Sequence, residues 1–110
     1  MSIEQTETVD FVTLDRETGD VLLTISDHLA WDWNEEEHLV LLQSKLNAYL
    51  RFVESGEMVR DFPDTKGRRV VINLVGRFPL SEKATTFLAR AGGAIRGAGF
   101  DLQFKLRPSD

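Results

Sequence analysis

The chain has no cysteine among its 110 residues. It can therefore form neither a disulfide bond nor a thiolate metal site, and it does not require an oxidising compartment. Histidine is scarce too, with two residues, and the first ten residues, MSIEQTETVD, lack the apolar stretch of a secretory signal. No apolar run approaches the length that spans a bilayer. These absences predict a cytoplasmic protein without a membrane segment.

Positive charge is in the minority, with 13 Lys and Arg against 18 Asp and Glu and a formal net charge of -5. This balance argues against long-range attraction to nucleic acid or to an anionic membrane surface. The basic turn KGRR, residues 66–69, has no interleaved aromatic residues and is typical of a solvated loop. We therefore expect neither nucleic acid nor a membrane among the partners.

The remaining composition is that of an ordinary globular protein, with 42% hydrophobic and 28% charged residues. A chain of 110 residues is long enough to bury one core and too short for a second. We therefore expect a single domain over residues 1–110, with flexible ends at residues 1–7 and 108–110.

Three regions carry strand patterns. In residues 9–26 the runs VDFVTLD and VLLTIS flank RETGD, whose Gly19 can adopt the positive φ that a hairpin loop needs. The run VVINLV, residues 70–75, is typical of a buried strand, with Asn73 as its one polar residue. The run FDLQFKLR, residues 100–107, alternates strictly and predicts a strand with one face in solvent.

Two regions carry helix patterns. Apolar residues recur every three or four positions in residues 34–56, where Gly56 can end the helix, and again in a helix from Ser81 to Gly99. Between them, Pro63 and Gly67 predict a loop. The element order is therefore β-β-α-β-α-β, an α+β fold. With right-handed crossovers it forms a four-stranded mixed sheet with two helices packed on one face, although the strand order stays open.

The stretch HLAWDWNEEEH, residues 28–38, holds both histidines and both tryptophans, which suggests a metal site. Glu35 and His38 have the i, i+3 spacing of di-iron bundle proteins, and Asp27, His28 and Asp32 offer further ligands from the preceding loop. The bundle motif needs a second such pair, however, and the chain has no third histidine.

A helix start explains the same stretch with fewer assumptions. Asn34 is a favoured N-cap residue, and Glu37 stands where a capping-box partner stands. Trp33 and His38 occupy the two positions of a hydrophobic staple. We favour this interpretation, and we predict no catalytic residue and no cofactor-binding residue.

Surplus apolar groups are the candidates for contact with a partner. Trp31 and Trp33 either anchor a partner or cover the end of the sheet. A second apolar line on the first helix, with Leu41 and Phe52, makes the apolar face wider than one sheet requires. We expect this surplus to be buried against another molecule.

Glycines inside the second helix need an explanation, because each costs about 1 kcal/mol relative to alanine. Gly93 and Gly97 share a face with Arg90. Close approach of another backbone is one explanation, and early fraying of the helix is the other. The segment is no phosphate loop, because it precedes a strand instead of following one.

Four segments taken together resemble a known protein family. They are TVDFVTLDRETGDVLLTISDHLAW, EEEHLVLLQSKLNAYLRFVESGE, RRVVINLVGRFPLSEKA and GAGFDLQFKLR. They are similar to a family of small bacterial proteins that is classified as a domain of unknown function. The resemblance implies a stand-alone bacterial, cytosolic domain and supplies no activity, cofactor or site residue.

The sequence favours a non-enzymatic protein-protein interaction module, with a second copy of the chain as an expected partner. A specific version is an immunity-type or antitoxin-like protein whose acidic surface masks a basic toxin. The alternative is a metal-binding protein or metal-dependent enzyme that uses residues 27–38. A small-ligand sensor that binds between the helices is a third hypothesis.

Overall fold

The computed structural model describes residues 11–108. The predicted flexible residues 1–7 lie outside this range, as do 109 and 110, while Pro108 follows the last strand and is exposed. The described residues form four strands, three α-helices and one 3-10 turn. Their bounds are β1 Phe11–Leu14, β2 Val21–Asp27, α1 Glu35–Glu54, α2 Glu57–Asp61, the turn Pro63–Thr65, β3 Val70–Gly76, α3 Glu82–Gly97 and β4 Asp101–Leu106.

The first two strands form the predicted antiparallel hairpin, with Phe11 opposite Thr24 and Leu14 opposite Val21. Gly19 has a φ of 77°, as the hairpin loop requires. The Asp15 carboxylate accepts a hydrogen bond from the Glu17 N–H at 2.8 Å and so orders the turn.

The sheet has the order β1-β2-β3-β4, in which β2, β3 and β4 are parallel. The register places Asp27, Gly76 and Leu106 side by side. The three parallel strands therefore end on the same side of the sheet. We call this side, where the carboxyl ends of the strands lie, the carboxyl edge. The loops that lead into α1 and α3 begin there.

The core lies on one face of the sheet. Alternate residues of β2 are buried, and so are Ile72 and Leu74 of β3. They form one cluster with residues of both long helices, among them Leu42, Leu46, Ala84, Leu88 and Ile95. Both long helices therefore lie on this face, which confirms the α+β prediction.

The opposite face carries a polar row across three strands. The Asn73 amide donates to the Thr24 hydroxyl at 3.4 Å and accepts from the Gln103 amide at 2.9 Å. Asn73, the polar residue in an otherwise apolar strand, is thus hydrogen-bonded although it is buried. Gln103 is half-buried instead of fully solvated, because it joins this row.

One prediction for the linker was wrong. Residues 57–61 form a short additional helix, α2, where the sequence predicted only a loop. Gly56 ends α1 as predicted, with a φ of 87°, but the chain then turns directly into α2. Met58 is buried in the core and holds this turn in place, a tertiary contact that local turn signals do not reveal.

Candidate functional site

A buried pair of ionisable side chains joins β2 to α1 at the carboxyl edge. The Nε2 of His38 lies 2.6 Å from the Oδ2 of Asp27, and the two side chains are 2% and 3% exposed. The other carboxylate oxygen accepts a hydrogen bond from the Leu29 N–H at 3.1 Å. Among the described residues, the Nδ1 of His38 has no hydrogen-bond partner. An unpaired buried polar atom costs about 1–3 kcal/mol, so this nitrogen is unusual.

The sequence contained a signal for this pair. Asp27 continues the alternation of Val21, Leu23 and Ile25, so it must point into the core. His38 precedes Leu42 by four residues and shares its helix face. The sequence analysis named Asp27 and His38 as candidate ligands of one metal ion, but it assigned Asp27 to a loop and missed that the two side chains pair directly from a strand and a helix.

The two tryptophans have opposite environments. Trp31 is 5% exposed and stacks on the His38 ring, with 3.4 Å between the ring centroids and 12° between the planes. Trp33 is 74% exposed. The predicted staple between Trp33 and His38 is therefore wrong, because Trp31 occupies the face of the imidazole.

The predicted capping box is wrong as well. Helix α1 does begin directly after Asn34, but Asn34 adopts the left-handed conformation, with a φ of 52°. A side-chain N-cap needs an extended backbone, and within the described structure the Asn34 side chain caps no helical N–H. Ser81 at the start of α3 is a regular cap and accepts from the Ala84 N–H at 3.1 Å.

The acidic first turn of α1 is tied to the start of α3. The Ser81 hydroxyl donates to the Glu35 carboxylate, and Lys83 forms an ion pair with Glu36. These contacts hold the N-terminus of α1 next to the N-terminus of α3. Glu37, one residue further on, is exposed.

The structure pairs two of the metal candidates, Asp27 and His38, but does not gather the others around them. His38 is bonded to Asp27 and Glu35 to Ser81, while Asp32 is exposed. Within residues 11–108, no three His, Asp or Glu side chains are arranged so that they could hold a metal ion. His28 and His38 therefore do not converge on one ion with the carboxylates named in the sequence analysis.

Two cavities flank the loop between β2 and α1. The first has a volume of 250 Å³, and we call it the Trp33 cavity; it is lined by Leu29, Ala30, Trp33, Asn34, Glu37, His38 and Leu41. The second, of 320 Å³, is lined by Ala30, Trp31, Asp32, Phe78, Pro79 and Ser81. Ala30 belongs to both walls, so a short loop separates the cavities.

The predicted interaction residues differ in exposure. Trp31 and Phe52 are buried in the core, and Leu41 is half-buried against it. The second apolar line of α1 therefore packs largely within the chain, while Phe52 and Leu41 also line cavities that open to solvent. Trp33 is the one aromatic of the four candidates that faces solvent.

The glycine face of α3 is open. Arg90, Gly93 and Gly97 are exposed, and a Cβ on either glycine would have no described atom within 4 Å. Within residues 11–108 no other segment of the chain packs on this face, and α3 extends to Gly97. Approach of a partner to these glycines stays a prediction.

The two sheet edges differ in chemistry. The β4 edge carries Lys105 and an ion pair in which the Nε of Arg69 lies 2.7 Å from Asp101. The hydrogen bond to Asp101 raises the pKa of Arg69, so this cation stays charged. The β1 edge, Phe11–Leu14, carries no charged residue, and both Phe11 and Leu14 are exposed.

A groove runs beside the β1 edge, and we call it the β1 groove. It consists of two adjoining cavities of 510 and 300 Å³ whose walls share Val12, Asp61 and Phe62. The lining of the larger cavity combines the apolar residues Val12, Ala48, Phe52 and Phe62 with the polar or charged residues Arg51, Ser55, Glu57 and Asp61. The sequence analysis missed the β1 groove, although the uncharged sequence of β1 was a usable signal for a strand that pairs with a partner.

None of the helices within residues 11–108 combines the length and the apolar character that crossing a membrane requires.

No curated protein and no solved structure matches the chain. Residues 1–108 match a family described as a family of unknown function, DUF6572. The match covers nearly the whole sequence, and the chain belongs to this family of unknown function.

Proposed function

We propose that this protein is a non-enzymatic interaction module that forms a homodimer through the β1 edge. The observation that carries the proposal is an uncharged, exposed edge strand beside a groove that has apolar residues next to the strand and charged residues further out. The main chain of an edge strand presents unpaired N–H and C=O groups to any strand that approaches. Addition of a second strand is a common mode of protein recognition.

The contrast between the two edges supports the choice of β1. Natural proteins protect free edges with charged side chains, and β4 has Asp101, Lys105 and the nearby Arg69. The sequence of β1 is Phe-Val-Thr-Leu, without such protection. An unprotected edge of this kind is expected where a partner strand covers it.

A second copy of the chain is a suitable partner, because a side chain that projects from β1 and a groove that can receive it lie next to each other on the same surface. A two-fold interface must complement itself, so a projecting group needs its receiving site on the same surface. Leu14 projects from β1, and the groove next to Val12 can receive an apolar side chain. Directly opposed residues of antiparallel strands share a face. Pairing Thr13 with its own copy therefore places the partner's Leu14 beside Val12.

The burial of the one candidate acid-base pair among the described residues is consistent with this role. Asp27 and His38 have the residue types of a general acid-base pair, but both are almost fully buried, and the Trp31 ring covers the imidazole. A substrate would have no direct access to the pair.

The test is light scattering coupled to size-exclusion chromatography. We expect a mass twice the 12.5 kDa of one chain, unchanged by EDTA or by added zinc. Leu14→Lys should reduce the mass to that of a monomer, because it places a charge in the interface. Val40→Lys is the matched control, since Val40 is 61% exposed on α1, away from β1.

Three results would contradict the proposal. They are a wild-type protein that is monomeric at high concentration, a dimer that Val40→Lys also dissociates, and a dimer that needs metal. The last would instead support the metal-binding hypothesis. Circular dichroism of each variant verifies that loss of the dimer is not loss of the fold.

A further inference from the structure

The Trp33 cavity lies at the carboxyl edge, on a different part of the molecule from the β1 groove, and the proposed dimer does not use it. Its rim is formed by Trp33, the most exposed aromatic side chain of the described residues. Its apolar wall consists of Leu29, Ala30 and Leu41. An exposed tryptophan over a cavity has an indole face that is available to a ligand.

The polar groups around this cavity are mainly acceptors. Glu37 provides an exposed carboxylate, and Asn34 provides an amide oxygen that no cap interaction requires. His38 lines the cavity as well, and its Nδ1 is buried without a partner among the described residues. This nitrogen is buried, so a ligand in the cavity does not reach it directly. The Glu37 and Asn34 acceptors therefore favour a ligand that carries several N–H donors.

The charge around the cavity favours a cation. Asp32 and Glu37 are both exposed beside Trp33, and within residues 11–108 neither is paired with a lysine or arginine. Glu36, by contrast, is neutralised by Lys83. The chain as a whole has a net charge of -5. This acidity disfavours a second copy of the same surface and favours a basic partner.

We propose that the Trp33 cavity docks an arginine side chain from a basic peptide segment of another protein. A guanidinium group is planar and carries five N–H donors, so it can stack on the indole of Trp33 while it donates to the carboxylate of Glu37 and to the amide oxygen of Asn34. Lysine supplies charge but neither the planar face nor the fork of donors. Arginine thus matches the aromatic, anionic and acceptor groups of the site together.

The experiment is a titration of the ¹⁵N-labelled full-length chain with the peptide acetyl-Gly-Arg-Gly-amide. Two indole N–H signals, one for each tryptophan, are assigned with Trp33→Phe. We expect the Trp33 signal to move, with a Kd of about 1 mM. The same peptide with citrulline, a neutral isostere of arginine, should bind at least about tenfold more weakly.

Matched variants identify the residues responsible. Trp33→Ala and Glu37→Gln should each weaken binding about fivefold, and both positions are exposed, so the fold is retained. Glu54→Gln removes the same charge at the other end of α1 and should leave the affinity unchanged.

Four results would overturn the proposal. They are no movement of the Trp33 signal up to about 10 mM peptide, equal binding of the citrulline peptide, equal loss in Glu54→Gln, and binding of free arginine without binding of the peptide. The last would indicate a small-molecule site. None of these results depends on whether the chain forms a dimer through β1.

Discussion

Asp27 and His38 are eleven residues apart in the chain and form a buried contact of 2.6 Å at the carboxyl edge. The contact fixes the last residue of β2 to the first turn of α1. It also fixes the imidazole against Trp31, which leaves Trp33 on the outside of the same loop. The position of the Trp33 cavity is therefore a consequence of this pair.

Removal of the Asp27 carboxylate should destabilise the protein. Asp27→Ala leaves the imidazole and the Leu29 N–H without their acceptor, so we expect the free energy of unfolding to fall by about 3 kcal/mol. Asp27→Asn keeps an oxygen acceptor and should cost about 1 kcal/mol. Urea unfolding measures both values. Asp32→Ala, an exposed acidic residue nearby, is the control, and an equal loss there would contradict the structural role of the pair.

Acrylamide should distinguish the two tryptophans. Trp33 is 74% exposed and Trp31 is 5% exposed, so a small quencher reaches mainly Trp33. In Trp33→Phe the emission should shift to shorter wavelength and the Stern-Volmer constant should decrease severalfold. Unchanged quenching in this variant would mean that Trp31 is accessible and that the stack on His38 is open in solution.

A single cysteine should cross-link the proposed dimer. The natural chain has no cysteine, so Thr13→Cys introduces the only thiol. When Thr13 pairs with its own copy, the two Cα atoms lie about 4.5–5.5 Å apart, within the range of a disulfide. We expect a covalent dimer on mild oxidation, detected by non-reducing electrophoresis.

The same register predicts that Phe11→Cys does not cross-link. The two copies of residue 11 are then four residues apart along the strands, about 13 Å. Efficient cross-linking at Phe11 but not at Thr13 would exclude this register. Cross-linking of Val40→Cys as well would show that the reaction reports collisions and not a specific interface.

Gly76 should tolerate no larger residue while Phe104 is present. A Cβ at this position would lie 2.7 Å from the Cε1 of the Phe104 ring. Gly76→Ala should therefore lower the free energy of unfolding by about 2 kcal/mol, because the Phe104 ring, which is half-buried against the core, has to move.

Phe104→Leu provides the complementary test of this clash. In a double-mutant cycle measured by urea unfolding, the alanine should cost at least about 1 kcal/mol less in the Phe104→Leu background. Additive effects would mean that backbone conformation, and not the ring, requires glycine at position 76.

The sequence predicted the parts of this fold that depend on local periodicity. Alternation in residues 21–27 and the three- and four-residue spacing in residues 35–54 correspond to real faces, and Gly19 and Gly56 have the positive φ expected of them. Helix α2 was missed because five residues carry too little periodicity and Met58 holds them by a distant contact.

The candidate site was predicted less well, for a physical reason. Spacing along one helix shows which residues share a face, but it does not show what lies opposite that face. His38 was assigned correctly to the first turn of α1, yet its partner is in β2 and its ring neighbour is Trp31 rather than Trp33. Phe52 was expected at an interface and is buried in the core.

The sequence by itself determined the class of fold, the single core, the acidic charge and the lack of any cysteine chemistry, because these follow from composition and from patterns within one element. The tertiary structure alone decided the order of the strands, the burial of Asp27 with His38, the exposure of Trp33 and the difference between the β1 and β4 edges. Each of these properties depends on which elements are in contact, and those contacts are made by residues that are far apart in the chain.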